Sequence, residues 1–158
     1  MRLLLLCVGR VRGPLQEAVA EYERRIDRYF RFEAVEVAEM RAGKGVSDAE
    51  VRAEESARLL ARVPEGFRTV VLDRRGNGWS SEKLAEFIDD LAVTSHPGAA
   101  FLIGGALGLS PECIRDADQR LSLSEFTLPH EVARLVLAEQ LYRAGTIQRG
   151  EPYHKGEG

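Results

Sequence analysis

The chain has 158 residues, enough for one domain with a hydrophobic core of its own. Hydrophobic residues make up 44% of the chain and charged residues 30%, the balance of an ordinary globular protein without low-complexity segments. The formal net charge of −3 excludes a protein that coats nucleic acid nonspecifically, although a local cationic patch can still bind one specific RNA.

The chain opens with the apolar run "LLLLCV", which leads into Gly9 and Arg10. This run is too short for a signal peptide and has no small-residue cleavage site, so we expect a buried first strand. No run approaches membrane-spanning length, and we therefore expect a cytoplasmic protein. Cys7 and Cys113 lie in apolar contexts without metal or disulfide spacing, and we expect both to be buried free thiols.

Apolar runs and amphipathic stretches alternate along the chain, which predicts alternating strands and helices. The predicted strands cover residues 2–9, 31–37, 67–73 and 99–105, followed by a brief strand from residue 120. The predicted helices cover 14–30, 48–63, 81–92 and 130–144, with a short helix begun by Ser110 and Pro111. A capping box formed by Ser47 and Glu50 starts the second helix, and Ser80 caps the third. Two connecting loops are expected at 41–46 and 74–80.

This order predicts a single α/β domain over residues 1–158, with a mainly parallel sheet and helices on its faces. Ligands in such sheets bind outside the carboxyl ends of the strands. Three loops are candidates at that edge: the segment after Leu72 and Asp73, the segment from Ile103 to Ser110, and the segment from Leu121 to His130.

The glycine pair Gly104 and Gly105 can let the main chain approach a ligand closely, or it can form a tight turn without a ligand. The dinucleotide pattern, the phosphate-loop pattern and the nucleophile elbow are all absent from the sequence. The three histidines have no metal-ligand spacing, so no metal is expected.

Several cations have both a functional and a structural interpretation. Arg143, near the end of the last helix, can serve a ligand or only stabilise the helix dipole. Arginines cluster at 24–31 and at 74–75, where they can contact RNA phosphates or pair with neighbouring acids. The tail "RGEPYHK" combines a rigid ring, an aromatic ring and an imidazole, a mixture that is unusual for a disordered terminus.

Three segments, "FLIGGALGLS", "LSLSEFTLPHEVARLVLAEQLYRA" and "RGEPYHK", occur in this order and end at the tail. The chain resembles, over its whole length, the ribosomal large-subunit pseudouridine N3-methyltransferases of the SPOUT class. The resemblance implies an α/β fold with a C-terminal trefoil knot, S-adenosylmethionine as cofactor and a homodimer. It also implies a substrate, a pseudouridine in helix 69 of 23S rRNA, methylated in the assembled ribosome.

The resemblance also places the site on numbered residues. The positions implied to bind the cofactor are Leu72, Gly104, Gly105, Leu123, Ser124, Glu125, Phe126, Thr127 and Leu128. The implied active-site positions are His130, Arg143, Tyr153, His154 and Lys155.

The chemistry of this reaction suggests roles for four of the five active-site positions, the exception being His130. Arg143 would stabilise the anion that develops on the target base, because a guanidinium stays charged and directs several donors at two oxygens. His154 would accept the N3 proton or hold the base, and Tyr153 would stack on a base or pack on its own subunit. Lys155 would contact RNA. It stands where some members have arginine, and Ala106 and Leu107 also depart from the family pattern.

Two other functions are compatible with the sequence. One is a SPOUT enzyme that acts on another RNA, such as tRNA. The other is a non-enzymatic, ribosome-associated dimer.

Overall fold

The computed structural model describes residues 1–155, apart from the side chain of His154. The strands are β1 (Arg2–Val8), β2 (Arg31–Val37), β3 (Arg68–Gly78), β4 (Gly98–Ile103) and β5 (Gln119–Ser122). The α-helices are α1 (Gln16–Ile26), α2 (Asp48–Leu60), α3 (Ser81–Val93), α4 (Pro111–Asp116) and α5 (His130–Gln148). Short 3₁₀ helices cover Gly13–Leu15 and Pro152–Lys155.

Serine side chains start three of the helices. The hydroxyl oxygens of Ser47, Ser80 and Ser110 accept hydrogen bonds from the backbone N–H three residues later, at 3.1, 3.0 and 3.2 Å respectively. Each bond satisfies a donor that a helix leaves unpaired at its amino end. The predicted starts of α2, α3 and α4 are therefore confirmed.

The five strands form one parallel sheet in the order β2-β1-β4-β3-β5. β1 and β4 lie inside the sheet, where Leu5 pairs with Phe101. Both of these strands are buried nearly throughout, as their continuous apolar sequences predict. The predicted α/β class with a mainly parallel sheet is confirmed.

Alternate residues of β1 face two different helical layers. Leu3, Leu5 and Cys7 pack with the apolar residues of α1, α3 and α5. Leu4 and Leu6 pack on the opposite face, against α2 and α4. The helices therefore cover both faces of the sheet, and both cysteines are buried and free, as predicted.

Segment 74–80 was wrongly predicted to be a loop, because β3 continues to Gly78. Its pairing with β5 breaks after Leu72 and resumes at Asn77, so residues 73–76 form a bulge. A Cβ on Gly76 would lie 2.6 Å from the Arg120 carbonyl oxygen. Only glycine permits this close approach of the two strands. In the sequence alone, a glycine at such a position indicates a turn.

The predicted helix 14–30 was too long at both ends, because the chain forms a 3₁₀ turn at Gly13–Leu15 and α1 ends at Ile26. The last helix, by contrast, runs four residues past its predicted end to Gln148. No helix within residues 1–155 combines the length and apolarity needed to cross a bilayer. The predicted domain includes residues 156–158, which lie outside the described residues, and the trefoil knot stays a prediction.

Candidate active site

A cleft of about 1030 Å³ lies at the carboxyl ends of β3, β4 and β5. All three predicted loops line it. Of the predicted cofactor positions, the lining includes Leu72, Gly104, Gly105, Leu123, Ser124, Phe126, Thr127 and Leu128, together with His130. Glu125 is exposed and is not among the lining residues. The structure thus brings together residues that are separated by up to 58 positions in the sequence.

The glycine loop after β4 turns back on itself. The Gly108 N–H donates to the Gly105 carbonyl oxygen at 3.0 Å, and Gly108 has a φ of +80°. A Cβ on Gly104 would lie 2.7 Å from the Gly108 carbonyl carbon and 2.9 Å from the Leu109 nitrogen. The loop is therefore a tight turn that requires glycine, and the same turn lines the cleft.

The third loop, residues 123–128, presents both polar and apolar groups. Leu123 and Leu128 pack against the hydrophobic core and anchor the ends of the loop. The Ser124 hydroxyl oxygen accepts the Phe126 N–H at 2.9 Å, which fixes the bend between them. The Phe126 side chain stays 81% exposed at the cleft.

His130 enters the cleft as the first residue of α5, and a buried ion cluster anchors this end of the helix. The Arg134 guanidinium, one turn further on, is 5% exposed. It donates to Glu23 of α1 at 2.8 Å and to Glu36 of β2 at 2.9 Å. Two carboxylates compensate the buried cation, so α5 is held against both neighbouring elements. Nothing in the local sequence pattern predicted this cluster.

Arg143 belongs to a second group, the C-terminal cluster, formed by Glu139, Arg143 and Tyr153. The Glu139 Oε1 atom accepts bonds from Arg143 Nη2 at 2.6 Å, from Arg143 Nε at 3.0 Å and from the Tyr153 hydroxyl at 3.1 Å. The Arg143 Cζ atom lies 4.9 Å from the centroid of the Tyr153 ring. The hydrogen bonds to Glu139 raise the pKa of Arg143, and burial raises the pKa of Tyr153.

Glu139 was missed in the sequence analysis. Its position four residues before Arg143, on the same side of a helix, was the available signal.

The tail folds back over α5 and α1. The Tyr29 hydroxyl donates to Glu151 at 2.6 Å, and the Arg149 guanidinium stacks over the Tyr29 ring at 4.7 Å. The Tyr153 ring packs edge-on against Tyr142, with centroids 4.7 Å apart, so Tyr153 packs on its own chain. Lys155 is exposed, and the His154 side chain lies outside the described residues.

The cleft and the C-terminal cluster are two separate places in one chain. His130 and Arg143 lie thirteen positions apart on α5, which is about 20 Å along a helix that rises 1.5 Å per residue. The structure therefore does not bring these two predicted active-site residues together. Among the described side chains of residues 1–155, which do not include that of His154, no group of three or more His, Cys, Asp or Glu residues is arranged to hold a metal ion.

Comparisons with known proteins cover nearly the whole chain. A family model described as predicted SPOUT methyltransferase matches residues 1–154. The ribosomal RNA large subunit methyltransferase H of Syntrophotalea carbinolica is 47% identical, over 98% of this chain and 99% of that protein. The protein of the same name from Anaeromyxobacter dehalogenans strain 2CP-1 is 50% identical, over 98% of this chain and 100% of its own length.

A solved structure of a probable methyltransferase from Bordetella pertussis Tohama I matches with a TM-score of 0.52. It is 17% identical, and the match covers 90% of this chain and 95% of that one. At this identity the likeness shows the fold alone. The full-length sequence matches go further: this chain belongs to the SPOUT methyltransferase family, together with the proteins named ribosomal RNA large subunit methyltransferase H.

Proposed function

We propose that this protein is an S-adenosylmethionine-dependent methyltransferase of large-subunit ribosomal RNA. The observation that carries the proposal is the match, at 47% to 50% identity over 98% of the chain, to proteins named for that activity. The cleft supports it independently, because it lies at the sheet edge where α/β proteins bind ligands.

The residues of the cleft fit the cofactor. Gly104 and Gly105 leave the backbone open to a ligand, while Leu72, Leu123 and Leu128 offer apolar surface for the adenine ring. The backbone groups of loop 123–128 would bind the polar edges of the cofactor. When bound, the cofactor supplies an electrophilic methyl group, so the remaining task for the protein is to prepare the acceptor.

We propose that the acceptor is N3 of a pseudouridine in helix 69 of 23S rRNA, in the assembled ribosome. Neutral N3 carries an imide proton and is a poor nucleophile, so the proton must leave as the anion forms. Arg143 is suited to stabilise the negative charge on N3 and the flanking carbonyl oxygens, because its pKa is raised and it stays charged. His154 accepts the proton or holds the base, and Lys155 contacts the RNA.

We further propose that the protein acts as a homodimer. In one chain, Arg143 lies about 20 Å along α5 from His130 at the cleft. Methyl transfer needs donor and acceptor at contact distance. A second copy that places its C-terminal cluster beside the cleft would bring the Arg143 of that copy close to the bound cofactor. We also propose a cytoplasmic location, where ribosomes are modified.

The experiment combines purified protein, S-adenosylmethionine labelled in its methyl group, and ribosomes from cells that lack this gene. We expect label in the large-subunit rRNA, and mass spectrometry should locate one added methyl group on a pseudouridine of helix 69. Label on tRNA instead of ribosomes would support the alternative of a SPOUT enzyme that acts on tRNA. Absence of both label and cofactor binding would support the non-enzymatic dimer and overturn the proposal.

A further inference from the structure

Cations are concentrated around the cleft in a chain that is acidic as a whole. Five arginines line it, against one carboxylate, that of Asp73. The arginines are Arg52, Arg74, Arg75, Arg115 and Arg120. The lining therefore has a formal surplus of four positive charges, while the whole chain has a net charge of −3. Such segregation creates a local positive potential that attracts a polyanion.

Two of these arginines, Arg74 and Arg75, lie in the β3 bulge, where hydrogen bonds hold their backbone. The Ser122 hydroxyl donates to the Arg74 carbonyl oxygen at 3.0 Å, and the Arg75 N–H donates to Asp73 Oδ1 at 3.3 Å. Gly76 permits the contact of the bulge with β5. The backbone is thus held in place while the Arg74 and Arg75 side chains remain exposed.

Ion pairing does not account for Arg74, Arg75 and Arg120, whereas Arg115 of the same lining pairs with Asp116. Among residues 1–155, no carboxylate lies within 4.0 Å of the guanidinium of Arg74, Arg75 or Arg120 in an ion pair. Arg24 and Arg25 differ, since both pair with Glu21. The surface-pairing interpretation therefore holds for Arg24 and Arg25 but not for the bulge, and no ion pair within residues 1–155 involves Arg28 or Arg31.

Arg120 is itself oriented by the backbone. Its Nε donates to the Ile114 carbonyl oxygen at 3.1 Å, and its Nη2 lies 3.5 Å from the Arg115 carbonyl oxygen. Both bonds use one side of the guanidinium, so its remaining donors are available to a ligand. A planar, pre-oriented fork of donors suits phosphate oxygens.

Phe126, which is 81% exposed, lines the same cleft as these arginines. An exposed aromatic ring among arginines is a common arrangement for single-stranded RNA, because bases stack on the ring while arginines bind phosphates. The cleft, at about 1030 Å³, also reaches the upper end of the usual range of about 300–1,000 Å³ for a small-molecule site.

We propose that Arg74, Arg75 and Arg120 bind the phosphates of the RNA strand that carries the target base, and that Phe126 stacks on a neighbouring base. This surface rests on the proposed function, which it deepens by naming where the RNA enters. The bulge therefore aligns the strand so that one base points into the cleft.

The test compares the wild type with the double variant Arg74→Ala/Arg75→Ala, using ribosomes from cells that lack this gene. We expect KM for ribosomes to rise about tenfold, while kcat and the Kd for S-adenosylmethionine stay within about twofold. The slope of log affinity against log salt concentration should become shallower by about two, one for each lost phosphate contact. Phe126→Ala should raise KM for ribosomes without changing that slope or the Kd for S-adenosylmethionine, because the cofactor is assigned to the backbone of loop 123–128 and not to this ring.

A control is Arg62→Ala, which removes an exposed arginine outside both the cleft lining and the arginine cluster at 24–31. Its slope of log affinity against log salt concentration should equal that of the wild type.

An unchanged KM in Arg74→Ala/Arg75→Ala would overturn the surface proposal while leaving the proposed function intact. A raised Kd for S-adenosylmethionine would instead assign these arginines to the cofactor, and a change in dimerisation measured by sedimentation would assign them to a second copy. If the wild type methylates no RNA, it is the proposed function that fails.

Discussion

The cleft and the C-terminal cluster are built by opposite means. The cleft is formed largely by backbone: glycines at 104, 105 and 108 turn the chain, and two leucines anchor loop 123–128. The C-terminal cluster is formed by side chains, with Arg143 and Tyr153 both bound to Glu139. The turns of the cleft are set by the backbone, whereas the C-terminal cluster holds one guanidinium in place through side-chain hydrogen bonds.

This difference decides which substitutions each region tolerates. A backbone-lined turn places few demands on the exposed side chains at Ala106 and Leu107, where the chain departs from the family pattern. Arg143, by contrast, depends on one carboxylate for its orientation. In the proposed reaction, an incoming RNA base would therefore have to compete with Glu139 for the guanidinium, or share it.

The largest expected effect is that of Arg143→Ala. We expect kcat for methyl transfer to fall about 100- to 1,000-fold, because a preoriented group that stabilises developing charge contributes on this scale. Titration calorimetry should show unchanged affinity for S-adenosylmethionine, since Arg143 is not among the cleft residues. Arg24→Ala, which removes an exposed arginine of α1, is the control. Lost cofactor binding would mean that the cleft and the C-terminal cluster are one structural unit.

Gly104→Ala should affect the cleft instead. The new Cβ would lie within 3 Å of the Gly108 and Leu109 backbone, so the turn must shift. A strained contact of this kind costs about 1–3 kcal/mol. If the strain acts on the cofactor-bound form of the loop, the Kd for S-adenosylmethionine should rise roughly 5- to 150-fold. Gly43→Ala is the matched control, because nothing lies within 4 Å of its Cβ position. Equal Kd values for the two variants would show that the turn is not part of the cofactor site.

Glu139→Gln tests whether Glu139 orients Arg143 within the C-terminal cluster. The amide keeps the shape of the side chain but loses the charge that binds Arg143 and Tyr153. We expect kcat to fall about tenfold with little change in KM, because the arginine remains present but is less well oriented. Glu17→Gln, an exposed position of α1, serves as the control. A rise in kcat would show that Glu139 only restrains Arg143.

The smallest expected effect is that of Tyr29→Phe, which removes the hydrogen bond to Glu151. Loss of this bond should cost about 1 kcal/mol, and the backbone amide of Glu151 should exchange its hydrogen faster. Burial, followed by the bond to Glu151, raises the pKa of Tyr29 from 10.0 to about 12. The stability from this group is thus complete below pH 10 and is lost as the pH rises to about 12. The variant should lose less stability over that window than the wild type, and equal losses would contradict the assignment.

Much of the scaffold of the cleft could be predicted. β1 and β4 read as buried strands because both of their faces are covered, so apolar residues follow one another without alternation. The carboxyl ends of parallel strands meet at one edge, which is why three loops distant in sequence could be expected to form one site. The β3 bulge could not be predicted, because it depends on a glycine that meets a neighbouring strand.

The C-terminal cluster was only partly predictable. The tail residues stood out by their composition, but the folding of Tyr153 onto Tyr142 and the pairing of Arg143 with Glu139 depend on how the tail crosses α5. The buried contacts of Arg134 with Glu23 and Glu36 join residues about 100 positions apart. No local pattern marks such a partner.

The sequence by itself determined the alternation of strands and helices, the serine caps and the edge of the sheet that carries the cleft. These features arise from local propensity and from hydrophobic periodicity, which act over a few residues. Only the tertiary structure decided the order of the strands, the concentration of arginines around the cleft and the distance of Arg143 from it. These features depend on contacts between segments that are distant in the sequence, and the energies of such contacts cannot be inferred from a short stretch of sequence.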